Sequence, residues 1–250
     1  MALQLLNDDL VERIVLGEKD PLVSSFWKTV FREPEWLISE ISKMPLTLKK
    51  WKYFKDNSFT TNRERALACI FLNRTSFSGI IAAGSGPIGG YRQQSQYKID
   101  CRFNVETLAK RIRQAASLRD RVLYVQCADW KATISKTQHL KLKTNEIFYY
   151  LDPPFFFKAN RLYRYYFNLA NHIELRDTLV RLRQPWLLSY DKADEIIQMY
   201  SANGYGPRHI DILYSIGSGS QSKTQETIIT NLPKVPKQTR IWMSKDEWRK

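Results

Sequence analysis

Four times along this chain a short apolar run ends at an acidic residue. Residues 14–16 lead to Gly17-Glu18-Lys19-Asp20, and 122–126 lead to Cys127-Ala128-Asp129. Residues 147–151 stop at Asp152, and 185–190 stop at Asp191. Helical periodicity occupies 2–13, where Leu3, Leu6, Leu10 and Ile14 share a face, and returns over 22–44, 171–183 and 192–201. Apolar strands alternating with helices predict an α/β fold with a mostly parallel sheet covered on both faces. In such sheets ligands bind beyond the carboxyl ends of the strands. Glu18, Asp129, Asp152 and Asp191 are therefore expected along one edge. A strand-end acid also serves as the N-cap of the next helix, so two of the four are open to that plainer role. Residues 210–216 and 225–231 flank a Gly/Ser-rich turn and read as a β-hairpin. The tail from Leu232, with its prolines and charges, is expected at the surface.

The formal net charge is +14, which points to a polyanionic partner. Nucleic acid is the first candidate and an anionic membrane surface the second. No run approaches the ~18 apolar residues of a membrane span. The opening MALQLLNDDLVERI turns acidic too early for a secretory signal. Cys69, Cys101 and Cys127 are odd in number and scattered, which suits a reducing cytoplasm. His139, His172 and His209 show no ligand spacing, so no metal site is expected. The charge is concentrated: residues 49–121 hold fifteen Lys/Arg against five Asp/Glu, a net +10. Trp51, Tyr53, Phe54, Phe59, Phe77, Tyr91, Tyr97 and Phe103 are interleaved there. Cations and rings together suit a nucleic-acid surface; cations alone would read as a solvated face.

The stretch YLDPPFFF over 150–157 follows a predicted strand. The plain reading is a strand ended by proline with its aromatics in the core. The chemical reading concerns an exocyclic amine of a nucleobase, whose lone pair is delocalised into the ring. Asp152 can accept one N–H, and the Pro153 carbonyl can accept the other, because proline keeps its acceptor. Two fixed acceptors stabilise the positive charge that develops on nitrogen as an electrophile arrives. Phe155 offers a ring for stacking, and Pro153 and Pro154 restrict the backbone. A base inside a duplex must flip out to reach such a pocket.

The stretches LNRTSFSGI (72–80), GPIGG (86–90), YKIDCRFN (97–104), YLDPPF (150–155) and PWLLSYD (185–191) resemble adenine-specific DNA N6-methyltransferases of the Dam-like type. Their order matches, and KDPLVSSFWKTVF (19–31) is similar to the family pattern as well. The resemblance implies a Rossmann-like, S-adenosylmethionine-dependent methyltransferase sheet with an inserted, mainly helical DNA-recognition lobe. Residues 1–48 and 120–250 would form the core and 49–119 the lobe. Asp152, Pro153, Pro154 and Phe155 match the catalytic motif, in which tyrosine is more usual at the fourth position. Glu18 matches the acid that holds the cofactor ribose; Asp129, with Trp130 beside it, matches the position near the cofactor's adenine, and Asp152 also borders the cofactor. Asn73 and Arg74, with Ser78, Arg92 and Arg102, are the implied DNA contacts.

The family's glycine-rich cofactor loop would precede MALQLL. GSGPIGG (84–90) neither follows a core strand nor opens a helix, so it reads as a loop of the lobe. The resemblance thus implies either a shortened chain or a second chain that supplies the missing segment. The implied activity is N6 methylation of a flipped adenine in double-stranded DNA, in a cytoplasmic, nucleoid-associated setting, alone or within a restriction–modification pair. The alternative is a DNA-binding relic or subunit without a cofactor pocket of its own.

Overall fold

The computed structural model describes residues 1–157, 159–216 and 220–234, and the chain is mixed α/β. It forms two compact units. One comprises Met1–Leu140 with Arg161–Arg164, the other Lys141–Asn160 with the chain from Tyr165 onward. The turn at 217–219 and the tail beyond 234 lie outside the described residues.

The first unit opens with α1 (Ala2–Asn7) and β1 (Ile14–Glu18). The apolar period expected over 2–13 stops early, and Leu10 is exposed. Asp9 takes a left-handed conformation, φ 53°, which short polar residues tolerate. The Arg121 guanidinium then donates to the carbonyls of Leu6, Val11 and Glu12 and to Asp9 Oδ1. Those acceptors, fixed by a residue more than a hundred positions away, hold a turn where local pattern favoured helix.

The expected helix over 22–44 is two helices, α2 (Pro21–Arg32) and α3 (Pro34–Ser42). Pro34 lacks the N–H that a continuous helix needs and biases Glu33 toward extended backbone. α4 (Leu48–Asp56), α5 (Asn62–Thr75) and α6 (Val105–Ala116) follow. Thr61 and Glu64 close a capping box at the start of α5, the type of cap that contributes about 1 kcal/mol. Phe71 and Leu72 of α5 share a core with Val30, Leu37, Trp51 and Ile112. Helices on both sides of position 48 therefore pack around one apolar cluster, although the family resemblance divides the chain there. β2 (Val122–Cys127) pairs in parallel with β1, Glu18 opposite Cys127, and α7 (Trp130–Gln138) follows.

The second unit contains β3 (Tyr149–Leu151), the short α8 (Ala159–Leu162) that leads into the first unit's Arg161–Arg164, α9 (Leu169–Arg181), β4 (Trp186–Asp191) and α10 (Asp194–Ser201). β5 (Arg208–Ile216) and β6 (Ser220–Thr230) form the expected hairpin, with longer strands than its apolar runs indicate. Strand order is β3-β4-β6-β5. β3 and β4 run parallel, connected through α9, whereas β6 is antiparallel to β4. Parallel pairing thus holds for β1–β2 and β3–β4, and the hairpin makes the larger sheet mixed. Leu175, Leu179, Trp186, Leu188, Ile196 and Ile229 are almost fully buried and form this unit's core.

No helix among the described residues is long and apolar enough to cross a membrane. Cys69 is buried in α5, whereas Cys101 and Cys127 are exposed. Burial pushes the Cys69 thiol far up, and the nearby Asp20 and Glu18 carboxylates push the same way. A neutral thiol is a poor nucleophile. Titration of the folded protein with an aromatic disulfide should modify two of the three cysteines quickly and the third only on unfolding; rapid reaction of all three would contradict this packing.

Candidate functional site

The stretch after β3 offers hydrogen-bond acceptors and few donors. Pro153 and Pro154 have no N–H. Asp152 is solvent-exposed, Pro153 is buried, and Pro154 and Phe155 are half-buried. The next two amides are both held by one carboxylate. Phe156 N–H donates to Asp191 Oδ1 at 2.7 Å and Phe157 N–H to Asp191 Oδ2 at 3.3 Å. Asp191 ends β4, the parallel neighbour of β3, so sheet pairing brings the clamp beside the loop it holds. The Phe156 ring packs against His172, centroids 5.0 Å apart, and His172 shares a 2.7 Å hydrogen bond with the Tyr190 hydroxyl. Burial lowers the His172 pKa despite the opposing charge of Asp191, so the imidazole is a neutral packing and hydrogen-bonding group. Phe156 is thereby assigned to the aromatic cluster under the loop.

Neither the Asp152 carboxylate nor the Pro153 carbonyl accepts a hydrogen bond from any described residue. The other expected strand-end acids are engaged. Asp191 clamps the loop, and Asp129 N-caps α7 by accepting from Ala132 N–H at 2.9 Å. Glu18 Oε1 accepts from Asp20 N–H at 2.9 Å. Asp152 and Pro153 thus keep two adjacent unclaimed acceptors.

Sequence reasoning missed the groups around Asp152. Ser189 Oγ donates to Glu226 Oε2 at 3.0 Å, and the Tyr150 hydroxyl is hydrogen-bonded with Ser189. Desolvation, then the Glu226 charge, raises the Asp152 pKa. Burial and the Asp152 charge push Tyr150 up to about 12, leaving its hydroxyl protonated at neutral pH. Glu226 sits in β6 opposite Asp191. The antiparallel partner of β4 carried the only signal for it, and that pairing is not visible in the acidic strand ends alone.

In the first unit, Glu18 closes β1, and burial raises its pKa. The Glu18 carboxylate is held by the backbone amides of Asp20 and Lys19, whereas Asp129 Oδ2 has no donor among the described residues. Trp130 is half-buried at the start of α7. A Cβ at Gly17 would lie 2.4 Å from Thr133 Oγ1, so glycine lets α7 approach the end of β1. Asp20 caps α2 by accepting from Leu22 N–H at 2.8 Å and also accepts from Arg164 Nη1 at 2.9 Å.

The implied DNA contacts do not all have the same role. Asn73 Nδ2 donates to the Gly79 carbonyl at 3.0 Å, and Ser78 lies within that turn at φ 55°. Asn73 therefore shapes the turn that presents Ser78 and the exposed Phe77. Arg74 and Arg102 line one cavity, whereas the exposed Arg92 is not among its lining residues. Residues 84–90 are turn and loop against the end of α5: Phe77 N–H bonds Gly86 O and Ile88 N–H bonds Thr75 O. Neither a strand before them nor a helix after them makes a phosphate cradle of this glycine-rich run.

No protein-family model matches the chain, and no curated protein is significantly similar to it. Asp191→Asn should remove one of the two carboxylate acceptors of the loop and weaken the other. We expect a stability loss of about 1–3 kcal/mol, with faster amide exchange at Phe156 and Phe157. Unchanged exchange at both amides would mean that the clamp does not hold the loop.

Proposed function

We propose that this protein is an adenine-specific DNA N6-methyltransferase of the Dam-like type. In this reading the parallel strand–helix elements are those of a Rossmann-like fold, and the basic helical stretch 49–119 serves target recognition. The observation that carries the proposal is the pair of unclaimed acceptors, Asp152 and the Pro153 carbonyl, on a loop whose following amides are tied down. The ordered set of stretches resembling that family supports the same reading.

Asp152 would accept one N–H of the adenine amino group and the Pro153 carbonyl the other. Both acceptors favour positive charge on that nitrogen, and Asp152 can hold the proton that leaves it. Phe155 would stack on the extruded base. It carries no hydroxyl, so it contributes ring contact alone. The carboxylates of Glu18 and Asp129 can accept further hydrogen bonds, because each oxygen has two lone pairs, which suits the hydroxyl and amino donors of S-adenosylmethionine. When bound, that cofactor supplies an electrophilic methyl group.

Asp152→Ala should abolish methyl incorporation into duplex DNA from labelled S-adenosylmethionine while leaving duplex affinity within about twofold, since phosphate contacts elsewhere dominate that affinity. Parental methylation by that variant would overturn the assignment. The acceptor must be ionised, so activity should fall as pH drops through the raised Asp152 pKa, an acid limb above the ordinary aspartate range. Removing the like charge lowers that pKa. The acid limb of kcat/KM in Glu226→Gln should accordingly move to lower pH, and a limb that stays in place would exclude the coupling.

A further inference from the structure

The arginines of the basic stretch divide by partner. Arg63 pairs with Glu33, Arg113 grips Glu35 with two nitrogens, and Arg121 is committed to the 6–12 turn. Arg65 donates to the Phe59 carbonyl. These side chains hold the unit together. Arg74, Arg102 and Arg111 instead converge on a cavity of about 270 Å³ and have no carboxylate partner among the described residues.

Two elements and a loop build this cavity. Arg74 comes from the last turn of α5 and Arg102 from the loop before α6. Arg111 and Thr107 lie one helical turn apart on the same face of α6. Arg74 is half-buried, and its pKa is lowered by desolvation, then by the Arg102 and Arg111 charges. Three like charges gathered around a partly desolvated space repel one another, and a multivalent anion relieves that repulsion. Guanidinium forks match phosphate oxygens geometrically. The Thr107 hydroxyl adds a donor on the same wall.

We propose that this cavity seats a phosphate group of the DNA backbone, with Arg111 and Thr107 of α6 as contacts beyond those implied by the family resemblance. The inference rests on the reading of this protein as a duplex-DNA enzyme and adds a defined phosphate position to it. Phosphate contacts set register on the duplex without reading bases. The site would therefore anchor the DNA independently of the recognition sequence.

The test uses the full chain and two readouts. In the first, duplex affinity is titrated against KCl for the parent and for Arg111→Gln. One lost phosphate contact should reduce the slope of log K against log salt by about 0.9, with a several-fold affinity loss that is equal for different duplex sequences. In the second, thiol modification exploits Cys101, which lines the cavity, with the exposed Cys127 as internal control. Duplex should slow labelling of Cys101 in the parent more than in Arg111→Gln.

If the parent binds duplex with steep salt dependence and Arg111→Gln keeps its slope and affinity, the cavity inference is overturned and the DNA reading stands. If the parent binds no duplex, the DNA reading fails, and with it the backbone as the source of the phosphate. Protection of Cys101 by inorganic phosphate, in the parent but not in Arg111→Gln, would then assign the cavity to a free phosphate compound. Absence of that protection would remove the site altogether.

Discussion

The Asp191 carboxylate accepts two consecutive amides from the loop that leaves the neighbouring parallel strand. A loop that begins with two prolines has no donors with which to bind itself to the sheet, so its first usable N–H groups carry the burden of fixing its course. Asp191 receives two of them, and the Phe156 ring inserts beside His172 beneath the same loop. A carboxylate accepting amide N–H groups makes the stronger class of hydrogen bond. The clamp can orient the loop without occupying Asp152 or the Pro153 carbonyl. Stability and availability are thus divided between two acids: one is consumed so that the other stays open.

The same division runs through the charges of the first unit. A count of lysines and arginines treats every cation alike, but the structure does not. Arg121 replaces the missing hydrogen bonds of a turn, and Arg113 joins α6 to α3 through Glu35. Exposed pairs of this kind add little stability each, typically below about 1 kcal/mol, yet they remove those side chains from the set free to meet a ligand. What remains is a smaller group on one face of α6 and its surroundings. Its members are mutually repulsive, which makes an anionic partner thermodynamically attractive. Lysines of α4 contribute differently: Lys50 lies 4.8 Å from the ring centroids of both Tyr53 and Phe54, and Lys52 lies 5.9 Å from that of Tyr91. Cations and rings in this stretch are interleaved in space as they are in sequence.

Local pattern made the strands and most helices legible because apolar period and strand-end acids are short-range signals. β2, β4 and α10 fall close to where the periodicity places them. The break between α2 and α3 was also written locally, in Pro34, but a continuous apolar period masks a proline that sits at the first position of a new helix. The early end of α1 was not local: it depends on Arg121, far along the chain. The role of Asp191 was hidden for the same reason, since a carboxylate at a strand end reads identically whether it caps a helix, faces a ligand or clamps a loop. Glu226 and Arg111 became candidates only when strand pairing and helix packing supplied their neighbours. The residue types at 152 and 153 suggest a pair of acceptors; that no described donor claims either one depends on the strand pairing that brings Asp191 to the loop.

Asp20 illustrates how the first unit accommodates acids that it buries. The side chain is 7% exposed, and burial raises its pKa. Three neighbouring groups counter that cost: the amides of Leu22 and Val23 at the start of α2, and the Arg164 guanidinium. The amide contacts come automatically with an N-cap, since the first turn of a helix has spare N–H groups. The arginine contact does not; it needs the chain to return after Asn160 and contribute Arg161–Arg164 to this unit. Lys55, which also feels the Arg164 charge, has its pKa lowered mainly by burial and directs its ammonium at the Ala82 carbonyl and Ser85 Oγ instead of at a carboxylate. Replacing Arg164 by lysine would keep the charge but alter a hydrogen bond aimed by a planar fork. Only the carboxylate side of this pair is buried, so removing Arg164 would leave Asp20 to its two amide partners, and the four-residue segment that the chain lends to the first unit supplies the one charge that offsets that burial.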